Sequence, residues 1–175
     1  MSYFGTMDRQ KNSDEFTRQL ETHKLIIYKI CHAYCKDPHD RDDLAQEITY
    51  QLWRSYGQFS GQSLFSTWMY RVALNVAITF YRKAKAGDSV IQLSEPDPET
   101  EYKPDDNAEL EADINTLRQF ISELKELDKA LMILYLEERS YAEIAEILGI
   151  TETNTATRIS RVKDKLKQRF SQLKK

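Results

Sequence analysis

Apolar positions recur along this chain at helical spacing. A first helix is predicted over 14–36, with Leu25, Ile26, Tyr28, Ile30 and Ala33 on and near one face. Asp37-Pro38-His39 ends it, because the residue before a proline avoids helical geometry. A second helix follows over 40–56, with Leu44, Ile48 and Leu52 four apart. After a loop from Gly57 to Leu64, a third is predicted over 65–86, with Trp68, Val72, Val76 and Phe80 at the same interval. One or two helices fall in 114–136, around Leu117, Phe120, Ile121, Leu124, Leu127, Leu131 and Leu134. The last two are 141–148 and 152–171.

Only five glycines and four prolines interrupt the 175 residues, which favours long helices over an all-β fold. Three of the prolines (Pro96, Pro98 and Pro104) share one stretch. The expected architecture is therefore all-α: two small helical domains, 1–87 and 114–175, joined by an acidic flexible linker over 88–113. Met1 to Thr6 reads as an untethered end. No signal peptide and no spanning apolar run are visible, so a cytoplasmic address is expected.

Charge sharpens the division. The net value of −3 argues weakly against a simple basic nucleic-acid binder. Resolved along the chain, 66–87 carries +4, 88–113 carries −9 and 151–175 carries +6. Two basic patches separated by an acidic strap point to nucleic acid more strongly than the total argues against it.

The chemistry at each basic patch differs. Near the C-terminus, Ser140-Tyr141-Ala142-Glu143 reads as a capping box opening a short helix. Gly149 supplies a left-handed closing residue, and Thr151 can cap the next helix. That helix carries Thr155, Thr157, Arg158, Ser160, Arg161 and Lys163, the hydroxyls and cations a helix-turn-helix presents to a major groove. A helical hairpin with a solvated basic face is the plain alternative, and the +6 tail weighs against it.

The stretch from Tyr50 to Tyr81 holds nine aromatic residues and overlaps the acid-free basic segment. Rings interleaved with cations suit single-stranded nucleic acid, since unpaired bases stack while cations hold the backbone. Trp53, Trp68 and Phe80 are expected in the core. Tyr56, Phe59 and Phe65 flank the loop and are expected to meet bases, and two glycines there could shape a pocket for an unstacked base.

Cys31, Cys35 and His39 could supply metal ligands, but cysteines beside apolar stripes read better as small buried hydrophobes. No catalytic triad or phosphate loop is visible, so neither an autonomous enzyme nor a cofactor is expected.

Asp42-Asp43-Leu44-Ala45-Gln46-Glu47-Ile48 resembles the acidic helix of bacterial sigma-70 family initiation factors. So do Trp53-Arg54, Phe59, the run Phe65 to Asn75, Leu124 to Leu127, Tyr141 to Ile150 and Arg158-Ile159-Ser160-Arg161, in that order. Two bodies with only a linker between them resemble the small extracytoplasmic-function (ECF) subgroup.

The resemblance implies roles. Asp42, Asp43, Leu44, Gln46 and Glu47 would bind the clamp helices of the largest subunit of core RNA polymerase, an acidic face meeting a basic one. Tyr56, Phe59, Ser60, Gly61, Phe65, Arg71, Asn75, Arg82 and Lys83 would bind the opened −10 DNA, with a flipped base captured at the loop. Thr155, Ala156, Thr157, Arg158, Ser160, Arg161 and Lys163 would bind the −35 duplex. Helices 117–136 would meet the flap of the second-largest subunit, and an anti-sigma factor would clamp both bodies. The protein would be bacterial, cytoplasmic and nucleoid-associated when bound to polymerase.

One departure stands out. Thr155 and Ala156 replace the family's usual β-branched aliphatic and basic pair, so the hydroxyl of Thr155 needs a partner and Ala156 can offer only a methyl contact. The linker's reach is sufficient: 26 residues extend to at most about 85 Å, while elements one to two turns apart lie roughly 34–70 Å from each other. The runner-up reading is a stand-alone helix-turn-helix regulator with an N-terminal effector domain. A pure interaction protein, docking a partner through its acidic helix, is a third.

Overall fold

The computed structural model describes residues 3–87 and 108–173, with side chains over 13–84 and 112–173. Among these residues there are seven α-helices and no strand: α1 (Tyr3–Tyr34), α2 (Pro38–Tyr56), α3 (Phe65–Gly87), α4 (Ala108–Ser122), α5 (Glu126–Leu136), α6 (Tyr141–Leu148) and α7 (Glu152–Leu173). Two boundaries correct the sequence reading. Helix α1 begins inside the stretch expected to be an untethered end. Helix α4 takes up the last six residues assigned to the linker; the rest of it, 88–107, lies outside the described residues.

The α1–α2 corner shows why the chain turns where it does. The side chain of Asp37 accepts from the His39 N–H at 2.8 Å, capping α2, and Pro38 sits at the first position, where no N–H is needed. Arg41 Nε donates to the Cys35 carbonyl at 3.1 Å, covering the open end of α1.

The first body packs α1, α2 and α3 around Ile30, Cys31 and Tyr34, Leu44, Ile48 and Leu52, and Met69, Tyr70, Ala73, Leu74 and Ala77. The α2 stripe is the predicted one. The α3 stripe is rotated: Trp68, Val72, Val76 and Phe80 are only partly buried, at the flank of the core. The inner face of α3 is instead Met69, Ala73 and Ala77, one residue along from the predicted run and so about 100° around the helix, with Tyr70 and Leu74 beside them. On α1, Leu25 and Tyr28 are 63% and 58% exposed, and Ile26 and Ile27 face inward instead.

In the second body α5 is the central helix, buried from Lys129 through Leu134 between its neighbours. A small satellite core of Phe120, Ile121, Met132, Val162 and Leu166 joins α4, α5 and α7. The turn chemistry is as the sequence indicates. Ser140 Oγ accepts from the Glu143 N–H at 3.2 Å, and Glu143 accepts from the Ser140 N–H at 2.9 Å. The Ser140 N–H and then its hydroxyl, both donating to the Glu143 carboxylate, hold that carboxyl below the ordinary range. Gly149 adopts φ 66°, and the Ile150 N–H closes α6 onto the Ala145 carbonyl at 3.1 Å.

The two bodies meet along a seam, and the main core runs on across it: Ala130, Leu131, Leu134, Ile144, Ile147 and Ile159 join the same cluster as Ile30 and Leu44. Tyr34 Oη donates to the Glu126 carbonyl at 2.8 Å. Lys29 pairs with Glu137 at 2.6 Å, and Tyr70 Oη donates to the other Glu137 oxygen at 3.4 Å. Lys129 lies between the rings of Tyr34 and Tyr81, 5.0 and 4.9 Å from their centres. Burial, with the Glu137 charge next, pushes the Tyr70 phenol up to about 12.

Candidate nucleic-acid interface

Three surfaces carry the residues singled out from the sequence. On α2, Asp42, Asp43, Gln46 and Glu47 are exposed on one side, whereas Leu44 is fully buried in the core. Beside Gln46 a groove of about 580 Å³ runs between α1 and α2, lined by Phe16, Ala45, Thr49, Tyr50 and Trp53. Trp53 was expected in the core. It is 48% exposed, with its ring edge-on to Phe16 at 5.1 Å. The outer face of α2 is thus acidic and aromatic together.

The second surface is the α2–α3 loop. Gly61 adopts φ 71°, a left-handed conformation that a side chain would strain even though open space surrounds it. Tyr56, Phe59, Phe65 and Trp68 form one aromatic cluster, with Phe59–Trp68 at 5.2 Å and Phe59–Phe65 at 5.6 Å. Phe65, expected to meet a base, is 8% exposed and forms the cluster's floor. Phe59 and Trp68 instead line a polar pocket of about 450 Å³ with Gln58, Ser60, Gln62, Ser63 and Arg71. Ser60 and Gly61 are exposed at the loop, and Asn75, Arg82 and Lys83 are exposed along α3. Glu146 of α6 reaches this pocket as well and pairs with Arg71 at 3.1 Å.

The third surface is α7. Thr151 Oγ1 caps it by accepting from the Asn154 N–H at 3.2 Å. Thr155 is fully buried, and its hydroxyl finds a partner in the Thr151 carbonyl at 3.1 Å. Ile159, Val162 and Leu166 continue the inner stripe. Thr157, Ser160 and Arg161 point outward, and Ala156 is half-buried at the flank. Two cations expected at the groove are engaged elsewhere: Arg158 donates to Asp128 at 2.9 Å, and Lys163 Nζ donates to Tyr135 Oη at 3.3 Å.

The sequence reading missed Gln58 and Gln62 in the pocket, Tyr50 on α2, and the outward residues Thr153 and Asn154. The last two could have been found, because a cap at Thr151 puts them in the first turn of α7.

Cys31 and Cys35 are buried, which pushes their thiols up to about 12 and about 11. Among the described residues no group of three or more His, Cys, Asp or Glu is placed to hold a metal ion, and no helix is long and apolar enough to cross a membrane.

Residues 20–87 match the family model for sigma-70 region 2, and residues 114–166 match that for sigma-70 region 4. The ECF RNA polymerase sigma factor SigW of Bacillus subtilis is 28% identical, over 94% of each chain. The RNA polymerase sigma factor YlaC of the same organism is 32% identical, over 74% of this chain and 76% of its own. Among solved structures, the sigma factor RpoE in complex with the anti-sigma factor NepR, from Bartonella quintana, superposes with a TM-score of 0.71 at 18% identity, over 88% of this chain and 95% of that one. CnrH in complex with the cytosolic domain of CnrY gives 0.65 at 16% identity, over 91% and 89%.

Proposed function

This chain belongs to the sigma-70 family of RNA polymerase sigma factors, in the extracytoplasmic-function subgroup, and from that premise we propose how its surfaces divide the work of promoter recognition. The single observation that carries the proposal is that one chain presents an acidic, aromatic α2 face, a ring-lined polar pocket beside the seam and a polar recognition-helix face.

The α2 face docks on core polymerase. Asp42, Asp43, Gln46 and Glu47 steer a basic partner, and Tyr50 and Trp53 supply the apolar anchor that charge alone lacks. Leu44 acts from beneath, by holding α2 in place. The loop pocket takes an unstacked base of the −10 element: Phe59 and Trp68 offer ring faces, and Gln58, Gln62 and the serines offer hydrogen bonds. Arg71, Asn75, Arg82 and Lys83 lie along α3, where the opened strand's phosphates pass. Helix α7 enters the −35 major groove with Thr157, Ser160 and Arg161 outward.

Domain boundaries at 87 and 114 fit this division, with α4 starting slightly earlier. The protein is a non-catalytic cytoplasmic regulator in this reading. Glu146 of α6 walls its −10 pocket and pairs with Arg71 in the closed arrangement, so binding both elements requires the seam to part, which the linker's reach permits. An anti-sigma partner is supported by the similar structure of the sigma factor RpoE, which is bound to the anti-sigma factor NepR.

The test is reconstitution with core polymerase from the same organism. Promoter-dependent transcripts are expected only when the chain is added. Tight duplex binding by the chain alone, without such transcripts, would favour the stand-alone regulator.

A further inference from the structure

We propose that Asn154 is a specificity-determining residue that reads guanine in the −35 element as a hydrogen-bond donor, and that Asp128 and Arg158 hold it in that role. The inference rests on the reading of α7 as the −35 helix and deepens it. Asn154 is exposed in the first turn of α7, on the same side as Arg161 two turns later. Arg158 Nη1 donates to Asp128 Oδ1 at 2.9 Å, and its Nε donates to Asn154 Oδ1 at 3.2 Å. The Asp128 side chain is only 17% exposed, so the guanidinium is anchored on α5 rather than free to sweep the groove.

This arrangement fixes the asparagine amide. A guanidinium has donors and no acceptor, so the amide atom facing Arg158 is the oxygen. The nitrogen is therefore turned away from Arg158, and it has no hydrogen-bond partner among the described residues. An asparagine that reads adenine needs both amide atoms edge-on to the base, oxygen to N6 and nitrogen to N7. With its oxygen held against Arg158, Asn154 is left with a donor. Guanine offers N7 and O6, two adjacent acceptors, whereas cytosine presents an amino group and repels a donor. Arg158 is thus a positioning residue.

The experiment uses holoenzyme assembled from core polymerase and the full chain, transcribing promoters that carry each of the four bases at every −35 position. With the natural chain, guanine is expected to exceed cytosine at one position by roughly fivefold or more. Asn154→Asp, which replaces the donor by an acceptor, should reverse that preference toward cytosine, and Asn154→Ala should flatten it. Arg158→Met frees the amide and should raise the response to adenine at the same position. If Asn154→Ala leaves the preference at every position unchanged, or weakens all promoters equally, the assignment to Asn154 is wrong. If the natural chain shows no −35 preference at all, the reading of α7 fails, and the assignment with it.

Discussion

The loop surface of the first body and the α7 surface of the second are built by opposite rules. At the loop, the rings that face the pocket are also the outer layer of the core: Phe59 and Trp68 pack on Phe65, which packs inward. On α7, the two tasks fall to different residues. Thr155, Ile159, Val162 and Leu166 hold the helix, while Thr157, Ser160 and Arg161 reach out. A surface of the first kind gains rigidity, but its residues cannot change without disturbing the fold. A surface of the second kind can change its readout at little structural cost, which suits the part of the molecule that selects a duplex sequence.

The largest effect should come from the floor of the ring cluster. Phe65→Ala is expected to cost about 3–5 kcal/mol of stability, against changes within about 0.5 kcal/mol for Ser160→Ala, both read by chemical denaturation. Similar losses for the two would erase the distinction. Phe59→Ala, at the half-buried rim, should impair open-complex formation more than initial promoter binding.

Next come two helix ends of the same shape. Helix α6 closes through Gly149 at φ 66°, and α5 closes through Glu138 at φ 57°, each followed by an N–H bonded five residues back. A Cβ at Gly149 would meet nothing within 4 Å, so only backbone strain is at stake. Gly149→Ala should destabilise by about 1–2 kcal/mol, and Glu138→Gly should stabilise by up to about 1 kcal/mol, measured by thermal melting. A stabilising Gly149→Ala would show that α6 does not need this turn.

Arg161→Ala should leave stability within about 0.5 kcal/mol. In holoenzyme–promoter titrations it should reduce the salt slope by about one. An unchanged slope would make Arg161 a solvated charge rather than a phosphate contact.

At working pH the smallest change is expected at the thiols. With the folded groups raised from 9.0, Cys31 and Cys35 should resist alkylation at pH 8 until denaturant is added. Because the folded thiols ionise later than the unfolded ones, their contribution to stability is whole below pH 9 and is lost as pH rises toward 11 and 12. Rapid labelling of the native chain would mean that the α1–α2 core opens readily.

What could be read in advance depended on how far apart the cooperating residues lie. Ser140 with Glu143, Gly149, and Thr151 with Asn154 act across three or four positions, so the corners of the second body were legible to the residue. The α2 stripe was legible because three equally spaced leucine and isoleucine side chains do not drift far. Trp53 and Phe65 were both misplaced, because sequence gives a ring's position but not which neighbours cover it: Leu52 takes the inner position beside Trp53, and Phe59 and Trp68 pack over Phe65. Arg158 was assigned to the groove because its partner Asp128 lies on another helix, 30 residues earlier. The hydrogen bonds of the seam join residues 67 to 108 positions apart, beyond any periodic signal.

The seam also bears on how such a protein could be re-engineered. Exchanging its C-terminal body for that of a relative looks like a clean way to transplant promoter choice, since only a linker would be cut. Yet Lys29, Tyr34, Tyr70, Arg71 and Tyr81 in the recipient are fitted to Glu126, Lys129, Glu137 and Glu146 in the donor half. A chimera that ignores this fit would carry the new readout while losing the resting contact between its halves. Grafting the outward positions of α7 alone would transfer the readout and leave the resting contact intact.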